Sequence, residues 1–154
     1  MSLWKEIVSL AQLNALNQGT LADFLGICFT AIDDDSLTAT MPANERTFQP
    51  AGIVHGGANV VLAESVASLA ANLTIDRTLY RAVGQEINAN HIRPVNQGLV
   101  TATAKPLHLG VTSQVWEIRL VNGAGQLTCV SRMTAAIIKR RNYRKTPQDN
   151  GVCT

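Results

Sequence analysis

Apolar residues along this chain change their spacing several times, and each change marks a boundary between elements. Leu3, Ile7, Leu10, Leu13 and Leu16, with Trp4 beside them, recur at helical intervals and predict an amphipathic helix at the start. Asn17-Gln18-Gly19-Thr20 is turn-forming, and Leu21 to Leu25 reads as a short helical segment closed by Gly26. The period then drops to that of a strand. Ile27, Phe29 and Ala31 alternate before Asp33-Asp34-Asp35, and Leu37, Ala39 and Met41 alternate after it, as in a hairpin across an acidic turn. From Pro42 to Val54 neither period holds, and Pro50 and Gly52 interrupt, so this stretch reads as a loop. Ala58 to Ile75 is apolar nearly all round, which predicts a buried helix on the order of 25 Å long. Strand-like runs follow at Val83 to Val95, Leu99 to Leu107, Thr112 to Val121 and Gln126 to Ile138, parted by short turns such as Asn122-Gly123-Ala124-Gly125. Gln114, Trp116, Ile118 and Leu120 share one side of their strand, so one face of the sheet meets the core.

The order of elements is α+β, an antiparallel sheet with one long helix inserted after the first hairpin. A curved sheet wrapped round a single helix fits it, although periodicity alone leaves other α+β folds open. At 154 residues the chain is one domain, divided here into a body, 1–138, and a basic C-terminal tail, 139–154. With 46% hydrophobic and 16% charged residues, much of the surface is expected to lie against other subunits. The net charge is +2, but the tail carries five basic residues and one acid, a net of +4, which leaves the body at −2. That body has no electrostatic footprint for nucleic acid. Three scattered cysteines, Cys28, Cys129 and Cys153, point to a reducing compartment. Neither a secretory leader nor a membrane span is evident, so a cytoplasmic protein without membrane association is expected.

Candidate chemistry concentrates on the central helix and the residues leading into it. Glu64 is the only Asp, Glu, Lys or Arg between Arg46 and Asp76, and it interrupts an apolar, small-residue pattern. An unpaired carboxylate is costly to bury, so either its place there has a functional reason or Glu64 points outward from a half-exposed helix. Upstream, Gly56 and Gly57 let backbone approach a ligand where the helix begins, with amides unsatisfied and the dipole positive. Such a pair suits attack on a carbonyl: a glycine amide stabilises the oxyanion while Glu64 acts as base or nucleophile. Ser68, four residues after Glu64, shares its face and either positions the carboxylate or bonds back to the helix. The other chemistries are poorly served. His55, His91 and His108 are not at metal-ligand spacing, no Gly-x-Ser-x-Gly elbow exists, Cys129 lies in a strand, and the glycine pair lacks the rest of a dinucleotide fingerprint. No metal and no cofactor are expected.

Gln49-Pro50-x-Gly52-x-x-His55-Gly56-Gly57, followed by Leu62-Ala63-Glu64-Ser65-x-x-Ser68, resembles the signature of the hotdog-fold acyl-CoA thioesterases of the phenylacetate-pathway type. The nearest likeness is to the 1,4-dihydroxy-2-naphthoyl-CoA thioesterases, which work in menaquinone biosynthesis, and the enterobactin-pathway proofreading thioesterases. It continues through Asn88 to Val95 and Pro106 to Gly110. The resemblance implies an acyl-CoA substrate and a homotetramer built from homodimers, with active sites at the dimer interface. It implies Glu64 as nucleophile or general base, Gly56 as the amide polarising the thioester carbonyl, and Gln49, His55 and Ser68 as supporting groups. His91, Arg93 and the turn His108-Leu109-Gly110 would lie near the coenzyme A moiety. Val111 stands where relatives tend to carry a basic residue, and Ala51 where they often carry a larger aromatic one.

The reading is therefore hydrolysis of an aromatic or medium-size acyl-CoA thioester. Rival readings are a hotdog hydratase or dehydratase built on His55 and Glu64, and a non-catalytic acyl-CoA sensor. About nine residues of helix, some 13 Å of rise, separate the helix start at His55-Gly56 from Glu64, too far for one small thioester. The two halves are thus expected to meet across a subunit interface.

Overall fold

The computed structural model describes residues 3–140. Its elements are α1 (Leu10–Ala15), α2 (Leu21–Phe24), β1 (Cys28–Ile32), β2 (Leu37–Pro42), α3 (Gly56–Leu73), β3 (Tyr80–His91), β4 (Leu99–Leu109), β5 (Ser113–Val121) and β6 (Leu127–Lys139). The six strands form one antiparallel sheet in the order β1-β2-β4-β5-β6-β3, with α3 inserted after the first hairpin. This is the hotdog arrangement.

α3 touches β2, β3, β4, β5 and β6, so the sheet must curve round it. Small residues make that approach possible. Ala63, Ala67, Ala70 and Ala71 are fully buried on the helix, against Ala39, Ala102, Ala104, Trp116, Ile118 and Met133 from the sheet. At the far end, Trp116 Nε1–H donates to Gln114 Oε1 at 3.0 Å, and Gln114 Nε2–H donates to Thr74 Oγ1 at 2.8 Å. Thr74 is the C-cap of α3, so this buried chain ties the helix end to β5. Asn72 fixes the helix against β3 by donating to the Ala82 carbonyl and accepting from the Ala82 N–H, both at 3.0 Å.

The expected helix over Leu3 to Leu16 is shortened to Leu10–Ala15. Ser9 and Gln12 form a capping box that starts it late: Ser9 Oγ accepts from the Gln12 N–H at 3.2 Å, and Gln12 Oε1 accepts from the Ser9 N–H at 2.8 Å. Upstream, the chain is pinned by Leu3 N–H to the Asp34 carbonyl and Lys5 N–H to the Leu73 carbonyl. Leu3, Trp4 and Val8 still pack on the core while Ile7 is exposed, a pattern that mimicked a helical stripe.

The α3 boundaries move to Gly56 and Leu73 from the expected Ala58 and Ile75. β3 stops at His91 instead of Val95, because the Ile92 and Arg93 amides both turn to the Thr128 carbonyl. Of the expected tail, Lys139 ends β6 and the Arg140 N–H bonds the Leu79 carbonyl; 141–154 lie outside the described residues. β1 and β3 are the sheet edges, and no described helix is long and apolar enough to cross a membrane.

Candidate active site

The loop before α3 is ordered by its own backbone. Phe48 bridges Val54, Gln49 N–H bonds the Ile53 carbonyl at 2.8 Å, and Gly52 N–H returns to the Gln49 carbonyl at 2.9 Å. Gly52 has φ of +73°, the left-handed conformation that makes it the turning residue. This small hairpin carries Gln49 to the helix start, and the His55 N–H bonds the Thr47 carbonyl at 2.8 Å.

His55 is the N-cap of α3, and its Nδ1 accepts from the Gly57 N–H at 2.8 Å. Accepting at Nδ1 leaves the proton of a neutral ring on Nε2, turned away from the helix. No hydrogen bond among the described residues engages the Gly56 N–H, a first-turn amide at the positive end of an 18-residue helix. A Cβ at Gly56 would stand only 2.7 Å from His91 Nε2, so any side chain there would displace the imidazole. Gln49, Gly56, His91 and Arg93 line one cleft of about 510 Å³, together with Asn59, Ile53, Val54 and the Pro94-Val95 backbone run. Arg93 is anchored by donation from Nη1 to the Leu127 carbonyl at 2.7 Å.

Glu64 and Ser68 lie elsewhere. They line a separate depression of about 400 Å³ between α3 and the Thr20-Leu21-Ala22 segment. Glu64 is half-buried in the single chain, the half-exposed one of the two readings left open by the sequence; what is corrected is the expectation of a helix buried nearly all round, since Glu64, Ser65 and Ser68 mark its uncovered side. A Cβ at Gly84 would meet Glu64 Oε1 at 2.7 Å and lie 3.8 Å from Ser68 Oγ. The carboxylate therefore rests directly on the β3 backbone, beside a bulge between Gly84 and Glu86. Ser68 Oγ donates to Met133 Sδ at 3.5 Å and not to a helical carbonyl.

His108, Leu109 and Gly110 border neither depression. They form the β4–β5 turn, where Gly110 N–H bonds the Ser113 carbonyl at 2.9 Å and a Cβ at Gly110 would stand 2.6 Å from His108 Nε2. Leu109 pairs with Gln114, Gln114 with Ala135 and Ala135 with Gly84, so the turn shares the Gly84 row. Two residues escaped the reading of the sequence. Gly84, a lone glycine inside a strand pattern, was the available signal of close approach. Asn59 was visible as a polar residue on a buried helix but had no assigned part. Cys129 is buried, and that burial pushes its thiol above the ordinary range, the bond from Asn90 opposing weakly, so it is unsuited to nucleophilic work.

Residues 51–129 match the family model described as "Thioesterase superfamily". The 1,4-dihydroxy-2-naphthoyl-CoA hydrolase of Escherichia coli K12 is 48% identical over 136 residues, 88% of this chain and 99% of that protein. The proofreading thioesterase EntH of Cronobacter sakazakii is 46% identical, covering 88% of this chain and 98% of its own. Among solved structures, a variant of the thioesterase PA1618 from Pseudomonas aeruginosa superposes with a TM-score of 0.89 at 49% identity, over 90% of this chain and all of that one. With that fold, that span of similarity and a free helix-start amide in a cleft, the chain belongs to the thioesterase superfamily and is a hotdog-fold thioester hydrolase.

Proposed function

We propose that the protein hydrolyses an aromatic or medium-size acyl-CoA, with the Gly56 amide polarising the thioester carbonyl and Glu64 attacking it or activating water. The observation that carries this reading is that both groups sit on one helix, about 12 Å apart along its axis, each beside the same open edge strand. β3 is 12 residues long and mostly exposed, and a free edge of that length is a template for pairing. Antiparallel pairing of two β3 strands about a two-fold axis would bring the His91 end of one copy beside the Gly84 end of the other. The Gly56 cleft of one protomer would then face Glu64 of its partner, and one thioester could reach both. Two such dimers form the proposed homotetramer.

In this site the Gly56 amide contributes about 3 kcal/mol to oxyanion stabilisation, and general-base action by Glu64 about 3 to 5 kcal/mol. Gln49 and His55 flank the carbonyl, Ser68 turns from Met133 toward the Glu64 carboxylate or its water, and His91, Arg93 and the His108–Gly110 turn contact the coenzyme A portion. The relative named for 1,4-dihydroxy-2-naphthoyl-CoA favours an aromatic acyl group. The free thiols Cys28 and Cys129 favour a reducing, cytoplasmic setting.

Thiol release across a panel of aryl and alkyl acyl-CoAs tests activity and preference together. Turnover of aryl substrates supports the proposal. Tight binding without thiol release would support the sensor reading instead, and release of a hydrated acyl-CoA the hydratase reading.

A further inference from the structure

Six polar side chains are buried among the described residues, and five of them have hydrogen-bond partners that explain their burial. Ser36 bonds Asp33, Thr47 bonds the Pro42 carbonyl, Gln114 bonds Thr74 and Trp116, Thr128 bonds the Leu120 carbonyl and Ser131 bonds the Asn88 carbonyl. The sixth, Asn59, is 6% exposed, and its Oδ1 has no partner. Buried polar atoms are nearly always paired, so an orphan in a folded chain calls for an explanation. Asn59 supplies one by its position: it lines the cleft that holds the Gly56 amide. On α3 it stands three residues after Gly56, on the same helix face and roughly 4.5 Å further along the axis. Rotation about a terminal carboxamide torsion is soft and two-fold, so the acceptor can be turned toward the cleft without moving the backbone.

We infer that Asn59 is a specificity-determining residue, whose side-chain carbonyl accepts a hydrogen bond from an O–H or N–H carried by the bound thioester close to the reacting carbonyl. The inference rests on the thioesterase reading. With the thioester oxygen held at the Gly56 N–H, the donor belongs either to the acyl group, as a hydroxyl or amine near the carbonyl, or to the thiol arm of coenzyme A, whose first amide lies two methylenes from the sulfur. The chemistry is the same in both cases: a donor satisfies an acceptor that the free chain leaves unmatched.

The test uses the full chain and two variants that remove the acceptor with different shapes, Asn59→Leu and Asn59→Ala, each checked by thermal melting and by oligomeric state. One substrate pair is benzoyl-CoA and a ring-hydroxylated benzoyl-CoA. The second pair is the same acyl group on coenzyme A and on a coenzyme A analogue in which an ester replaces the amide nearest the sulfur, so that the remaining contacts are kept. The expected result is that wild-type protein favours the donor-bearing member of one pair by ~10- to 100-fold in kcat/KM, and that both variants bring that ratio close to one. Collapse in the first pair locates the donor on the acyl group, and collapse in the second on the thiol arm. Ratios unchanged by both substitutions, or equal losses on every substrate, overturn the inference. Thioether analogues of the same pairs, which cannot be hydrolysed, are measured by calorimetry in parallel. Discrimination in binding that is lost in the variants upholds Asn59 even if wild-type protein releases no thiol, in which case the catalytic reading falls alone. Absence of discrimination overturns Asn59 while leaving turnover intact.

Discussion

At Gly56 the central helix presents backbone to the proposed substrate, and at Glu64, about two turns further on, it presents a side chain. The first region is built largely from short-range order. A hairpin turned at Gly52 carries Gln49, His55 caps the helix, and His91 occupies the space that a side chain at Gly56 would need. The second region is open. Glu64 is half-buried, lies on the glycine backbone of an edge strand, and borders a depression with Ser68. A donor amide must be rigid to be useful in the transition state, and backbone at a helix start supplies that at no side-chain entropy cost. A carboxylate that must be covered only when the site is assembled can be left on the uncovered side until a partner arrives. In the proposed dimer, the first half is supplied by one chain and the second by its partner.

Replacing Glu64 has the largest expected effect. Glu64→Ala should lower thiol release by ~10²- to 10⁴-fold while the oligomer, measured by light scattering, is unchanged; wild-type-like turnover would remove Glu64 from the mechanism. Gly56→Ala drives a Cβ to 2.7 Å from His91 Nε2 and should also abolish most activity. Mixing the two inactive variants then breaks or sharpens the comparison directly. In mixed dimers one of the two sites combines an intact Gly56 with an intact Glu64, so random exchange should restore about one quarter of wild-type activity. No recovery after subunit exchange, verified by mass spectrometry, would mean that both halves serve one chain.

Smaller effects are expected from the supports. Gly84→Ala places a Cβ 2.7 Å from Glu64 Oε1, and should reduce kcat by roughly tenfold with KM and melting temperature little changed, since a misplaced general base costs rate more than binding. Gln114→Leu should do the reverse. It leaves the Trp116 indole N–H without its acceptor, while the Thr74 hydroxyl keeps only its bond to the Ala71 carbonyl, and should cost about 2 kcal/mol of stability by urea denaturation with kcat retained. The smallest effect concerns thiol reactivity. Burial holds Cys129 above its ordinary pKa, so the neutral thiol persists at and above neutral pH, and alkylation mapped by peptide should label exposed Cys28 first.

Much of the fold was legible because period and length agree with burial. The alternating runs from Leu37 onward became strands, and the small-residue run became α3. The start of the chain was misread because Leu3, Ile7 and Leu10 fall at helical spacing although Ile7 is exposed and the backbone of Leu3 and Lys5 bonds Asp34 and Leu73, and hydrophobic spacing does not record which backbone group an amide finds. The end of β3 was placed too late for a similar reason, since Ile92 and Arg93 keep a strand-like composition after leaving the ladder for the Thr128 carbonyl. At the site, the motif pointed to Gln49, His55, Gly56 and Glu64, but motifs carry no distances. That Gly84 makes room for Glu64, that Asn59 is orphaned, and that Leu109 sits on the Gly84 row with His108 one row away follow from contacts and register between segments far apart in the chain.

By itself the sequence determined the classes of element, the single helix set among strands, and the pairing of a helix-start glycine with a lone carboxylate, because these depend on local period, capping and charge spacing. Tertiary structure alone decided that the carboxylate lies on the uncovered side of the helix, against the backbone of an edge strand, while the amide lies in a cleft beside His91 and Arg93. Which side of a nearly apolar helix stays uncovered depends on how far the sheet curves round it, and that curvature is a property of six strands packed together.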